Sequence, residues 1–133
     1  FMEKELVASI VDETRLPVFL ADSSRIKEAD YRFQWQDNIL KKYGKELPNE
    51  ETTGEYVGIG KIDRRFILKF IAKMDEMINS QQSGKWWEDI LYSFIGTGTD
   101  VYVKDINGIF WAELDYIEDF QRIERYLNEN KPQ

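Results

Sequence analysis

The dipeptide Asn107-Gly108, set between two β-prone runs, constrains this chain more than any other feature. A two-residue type I′ turn needs positive φ at both central positions, and Asn-Gly supplies it at little steric cost. Residues 101–106 and 109–114 are therefore expected to be the two arms of a hairpin. Side chains alternate along a strand, so Phe110, Ala112 and Leu114 should pack on one face while Trp111, Glu113 and Asp115 occupy the other. A helix should follow at once, because Ile117, Phe120, Ile123 and Leu127 recur at spacings of three and four. A strand that ends in two carboxylates at a helix start is a place to look for chemistry.

The chain contains neither His nor Cys. That excludes disulfides, thiolate and imidazole metal ligation, and Ser-His or Cys-His catalysis, and it leaves carboxylates, Lys, Arg and Tyr as chemical groups. Acidic residues number 25 against 18 basic, a net charge of −7. Such a balance argues against non-specific nucleic-acid binding, which needs cationic side chains to displace phosphate counterions, and it suits hard cations or ammonium groups better. No apolar run approaches the length of a membrane span, and no leader-like amino terminus is present, so no membrane partner and a cytoplasmic location are expected. Residues 1–133 should form one domain with a core of its own.

Taken in order, residues 1–13 read as a helix with Leu6, Val7, Ile10 and Val11 on one face. Residues 16–21 are a short apolar run opening at Pro17, the profile of a buried strand. It ends in Asp22-Ser23-Ser24-Arg25; a strand end with these groups suits a ligand, although a solvated turn is the favoured reading. Residues 31–35 and 39–43 form a second expected hairpin, with Tyr31, Phe33 and Trp35 on one face; a helix over 37–43, stopped by Gly44, is the alternative. Residues 44–54 are a polar loop carrying Lys45. Residues 55–62 are a strand whose glycines mark a bulge or the close approach of another group. Asp63 should cap a helix with a wide apolar stripe that includes Phe66, Ile67, Phe70, Ile71, Met74, Met77 and Ile78. Residues 79–84 read as a linker. In the helix expected over 85–95, Trp87, Ile90, Leu91, Phe94 and Ile95 should be buried, leaving Trp86 and Glu88 partly free. An aromatic ring beside a carboxylate can hold an ammonium group by cation–π attraction and charge, although packing of both Trp residues is the slightly favoured reading. Residues 130–133 are expected to be a fraying tail. Strands and helices alternate coarsely, so the expected fold is an α/β mixed-sheet layer structure.

Three stretches together resemble the nucleotidyltransferase family that makes sugar nucleotides and CDP-activated head groups: residues 54–63, the Trp-Glu-Asp helix at 85–91, and the run 103–120 with its Trp111-Ala-Glu-Leu-Asp115 core. The phosphocholine and 2-aminoethylphosphonate cytidylyltransferases are the most similar branch. The resemblance implies the carboxy-terminal, acceptor-binding half of a Rossmann-like nucleotidyltransferase fold. The family's Gly-rich loop and first metal-binding Asp have no counterpart here, so no catalytic residue is expected in this chain. The fragment alone is expected to be inactive, with Mg²⁺ binding weak or absent.

Carried over residue by residue, the resemblance makes Lys45 the contact of an acceptor phosphate or phosphonate. It makes Glu55, Trp86 and Glu88 the lining of the head-group pocket, and Asp115, with Glu113 as the competing choice, a carboxylate for Mg²⁺ beside a nucleoside triphosphate. Such a metal neutralises the triphosphate while the acceptor oxygen attacks in line. Asp115 also heads an Asp-x-x-Glu capping box with Glu118, and the two roles compete for the same oxygens. An apolar sheet edge left open by the missing half should drive homo-dimerisation. The alternative function is a stand-alone, non-enzymatic binding or assembly module.

Overall fold

The computed structural model describes residues 4–80, 86–111 and 117–130. Helix α1 (Lys4–Val11) leads into β1 (Val18–Asp22), the hairpin β2 (Arg32–Gln36) and β3 (Ile39–Gly44), and β4 (Gly54–Lys61). Then come α2 (Arg64–Asn79), α3 (Trp87–Tyr92), β5 (Tyr102–Asp105) and α4 (Ile117–Glu129). Among the described residues no helix is long and apolar enough to cross a membrane.

The five strands close into a small barrel in the order β1-β4-β2-β3-β5, with β5 returning to β1. Among the described strands only the β1–β5 pair is parallel. This overturns the expected open mixed-sheet layer and with it the Rossmann-like half-fold. The closing seam is short: Ile39 pairs with Tyr102, the Leu40 N–H donates to the Val101 carbonyl (2.8 Å), and the Val103 N–H donates to the Asn38 carbonyl (2.8 Å). Two irregularities bend the sheet far enough to meet itself. One is in β3, where Lys41 is the extra residue between Leu40 and Lys42, the partners of the adjacent Trp35 and Gln34 of β2. The other is in β4, where three residues separate Tyr56 from Gly60 while a single β1 residue separates their partners Ala21 and Phe19. Gly58, at φ 92°, lies inside that bulge. Closure leaves no open edge among the described strands, so the sheet-edge argument for a homo-dimer falls away.

All of β1 is buried, because it is covered on both faces. Phe19 and Ala21 point into one core with Phe33, Leu40, Tyr56, Leu91 and Val103. Leu20 points into a second core with Leu6 of α1, Val57, Ile106 and Trp111. Gly54 sits where a Cβ would fall 2.5 Å from the Asp22 carbonyl oxygen, so β4 can lie this close to β1 only with glycine there.

Several local expectations hold. The 31–43 hairpin forms, turning through Asp37 and Asn38 at φ 54° and 64°. Asp63 caps α2 by accepting the Phe66 N–H at 2.8 Å. Asn107 and Gly108 take φ 41° and 88°, as a type I′ turn requires. Beyond that turn the outcome differs. Trp111 is buried and makes a single bridge, residues 109–110 form no strand, and Phe110 stacks on Tyr126 of α4 (centroids 3.9 Å apart), while residues 112–114 of the expected arm lie outside the described residues. The packed side of this segment is thus the indole side, because the indole N–H is needed as a donor further inside. Along α2 only Phe66 is buried and Phe70 packs partly against the core; Ile67, Ile71 and Ile78 are exposed. The start of the first expected helix, the linker from residue 81 with Lys85, and the 131–133 tail lie outside the described residues.

Candidate functional site

Four residues nominated from the sequence, Lys45, Glu55, Trp86 and Glu88, line one cleft of about 530 Å³. The hairpin end supplies Lys45, just past β3; β4 supplies Glu55, Tyr56 and the bulged Gly58; the start of α3 supplies Trp86, Glu88, Asp89 and Tyr92. Asp30 and Tyr31 complete the lining. The β4 bulge contributes directly, since Gly58 keeps that wall free of a side chain. Glu113 and Asp115, the nominated metal ligands, lie outside the described residues. Among the described residues no group of three or more carboxylates is arranged to hold a metal ion.

The walls are aromatic and the polar groups are mostly acidic. Tyr92 is buried and held flat against Tyr43, with centroids 3.9 Å apart and planes 12° from parallel. Burial, followed by the neighbouring Tyr31 and Tyr56, raises the Tyr92 pKa far above that of a free tyrosine, and burial likewise raises that of Tyr31. Both hydroxyls therefore stay neutral across physiological pH. Trp86 stands at 78% exposure, an indole presented to solvent beside the cleft. Trp87, expected to be buried, is 42% exposed, although its ring still reaches Phe19 (5.8 Å). Phe94 and Ile95, expected to be fully buried, lie beyond the end of α3 and are only partly covered by the core.

The carboxylates differ in what surrounds them. Asp89 is committed to the helix start: its carboxylate accepts the Trp86 N–H (2.8 Å) and its own N–H returns to the Trp86 carbonyl (3.0 Å). Asp30 faces Lys45 across 3.9 Å, both largely exposed. Glu55 is 8% exposed; one oxygen accepts the Asp30 N–H (2.7 Å) and the other lies 3.5 Å from the Arg25 guanidinium. Glu88 accepts the Tyr56 hydroxyl (3.1 Å) on Oε2, while its Oε1 is buried and meets no hydrogen-bond donor among the described residues. Such an unanswered buried acceptor costs about 1–3 kcal/mol, more when charged.

Sequence reasoning missed the group behind the cleft. Asp22, favoured as part of a solvated turn, is 1% exposed. Its Oδ1 accepts the Ser24 N–H (2.9 Å), the Ser24 hydroxyl (2.6 Å) and the Gly108 N–H (3.1 Å), and its Oδ2 accepts the Trp111 indole N–H (2.8 Å). Burial alone would raise the Asp22 pKa; the donors from Ser24, Trp111 and Gly108 together outweigh it and hold the carboxyl below its ordinary value. Arg25 lies over the Trp111 ring (4.1 Å), donates to the Trp111 carbonyl (2.9 Å) and reaches both Asp22 (3.7 Å) and Glu55 (3.5 Å). The one sequence sign of this was a strand end that delivers Asp, Ser and Arg together.

A scan of protein-family models finds no match to this chain, and a search of curated proteins finds none either.

Proposed function

We infer that the cleft binds a small zwitterion, its ammonium end among Glu88, Trp86 and the tyrosines and its phosphate or phosphonate end at Lys45. The observation that carries this reading is the buried, unanswered Oε1 of Glu88 in an aromatic-walled, acidic cleft. Cation–π attraction and a carboxylate together are what a cationic head group needs. Lys45 faces only an exposed, solvent-screened partner, so an anionic group can displace Asp30 at little cost.

Under the resemblance such a ligand is the acceptor in nucleotidyl transfer, with CMP from CTP as the transferred group and Mg²⁺ supplied at Asp115 or Glu113. The reaction would run in the cytoplasm, with no nucleic acid and no membrane involved. A specific observation favours a second reading: the barrel closes on itself, as a self-contained binding module would. Dimerisation, under either reading, would have to use the exposed apolar residues of α2 and α4, among them Leu68, Ile78, Phe120 and Leu127.

Titration with 2-aminoethylphosphonate and with phosphocholine, read by tryptophan fluorescence and by calorimetry, tests the cleft. Saturable binding of at least one ligand is expected, with Trp86 reporting it. No fluorescence change and no heat at millimolar ligand would sink the acceptor reading. Pyrophosphate release from CTP that depends on the bound ligand would support transfer; binding without release would favour the module.

A further inference from the structure

Arg25 does not line the cleft, yet it is the cation that touches the cleft's Glu55 wall from behind. The polar groups around the cleft sort by what balances them. Asp30 and Lys45 face each other at the mouth. Asp89 is held at the start of α3 by the Trp86 N–H that it accepts. Arg25 lies between Glu55 (3.5 Å) and Asp22 (3.7 Å); Asp22 already accepts four hydrogen bonds of its own, and Arg25 is the described cation beside Glu55. Glu88 has no cationic partner among the described residues. Arg25 is itself fixed, by stacking on Trp111 and by donating to the Trp111 carbonyl, so it cannot swing away when a ligand arrives.

We propose that Arg25 sets the ligand charge this cleft accepts: by cancelling Glu55 it leaves Glu88 as the carboxylate open to a cation, so that the site takes one ammonium group and disfavours a second. Arg25 is a specificity-determining residue that acts through Glu55 and touches no ligand. The ligand class that follows is a monoammonium compound, and di- and polyamines are discriminated against even though the whole chain is acidic. The inference rests on the ammonium reading of the cleft.

Calorimetric titration at neutral pH with propylammonium and with 1,3-propanediammonium tests it on the wild type, Arg25→Gln and the double variant Arg25→Gln/Glu55→Gln. Freeing Glu55 should shift the ratio of the two affinities toward the diammonium by about tenfold, the size of one nearby charge interaction at an effective dielectric near 20 after partial solvent screening. The double variant removes both charges and should return the wild-type ratio, an outcome that a purely structural role for Arg25 does not produce. An unchanged ratio in Arg25→Gln, or a shifted ratio that persists in the double variant, overturns the proposal. If circular dichroism shows Arg25→Gln unfolded, the double variant decides. A double-variant affinity ratio within about twofold of wild type then supports the proposal, and a ratio shifted about tenfold toward the diammonium overturns it. Failure of the wild type to bind propylammonium overturns the ammonium reading itself, and the proposal falls with it.

Discussion

Asp22 and Glu88 are both carboxylates with oxygens removed from water, and both lie near an indole, but the fold treats them in opposite ways. Around Asp22 four donated hydrogen bonds converge from the loop after β1, the Gly108 turn and Trp111, with Arg25 close by. Around Glu88, among the described residues, a tyrosine hydroxyl answers one oxygen and no donor answers the other. An acid whose lone pairs are all taken ties segments together and has no capacity left for a ligand. A half-answered acid contributes less to the fold than its burial costs, unless something binds there. The first belongs to the architecture and the second to the site.

The largest expected effect therefore comes from Asp22. Asp22→Ala leaves the Trp111 indole N–H, the Gly108 N–H and the Ser24 donors without their acceptor and removes one of the two carboxylates beside Arg25, and should destabilise the fold by about 3–5 kcal/mol. For a domain of this size that is a fall of roughly 10–20 °C in melting temperature. A melting curve within a few degrees of wild type would refute the structural assignment. Acid titration gives the same contrast. The folded-state pKa of Asp22 is depressed, so its contribution is complete above the ordinary carboxylate range of about pH 4 and is lost as pH falls through the lower folded value. Glu13, held below its ordinary value by the donors and charge of Arg15 against the opposing pull of burial, adds loss of the same sign. Acid melts of Asp22→Ala should show only the remainder.

What could be read from the sequence follows from how local each determinant is. The Asp37-Asn38 and Asn107-Gly108 turns, the Asp63 cap and the Tyr31/Phe33/Trp35 face each depend on a handful of adjacent residues, and all form. Barrel closure does not. It rests on one strand pair, Ile39 with Tyr102, and on a β4 bulge whose register against β1 no local pattern encodes. Alternation misjudged Trp111 for the same reason: an indole N–H goes where its acceptor is, and the acceptor, Asp22, is 89 residues away in sequence. The candidate site divides likewise. Trp86 and Glu88 are legible from helical spacing as well as from the resemblance, Glu55 and the ligand role of Lys45 only from the resemblance, and the fold brings all four to one cleft. Arg25 and its grip on Glu55 needed the tertiary structure.

Glu88→Gln should reverse the pattern of Asp22→Ala. The amide keeps an acceptor for the Tyr56 hydroxyl and removes a buried charge that no described cation balances, so stability should be unchanged or rise by up to about 1 kcal/mol. Affinity for an ammonium ligand should fall by about tenfold or more, the worth of a charge-assisted contact. Thermal melts and titrations on the same preparation check both halves. A variant that loses stability yet binds normally would make Glu88 a second Asp22 and erase the distinction.

Lys45→Ala should give the smallest effect, and its value lies in selectivity. The Lys45–Asp30 pair spans 3.9 Å with both side chains more than two-thirds exposed, so solvent screens it and no measurable change in melting temperature is expected. If Lys45 meets the anionic end of the ligand, its loss weakens 2-aminoethylphosphonate by about three- to fivefold, as an exposed charge contact should. A plain alkylammonium, which carries no anionic end, should bind as before or slightly better, because Asp30 is then unopposed. Equal weakening of both ligands would mean that Lys45 shapes the cleft and does not read its ligand, and the phosphate end of the proposal would have to be placed elsewhere.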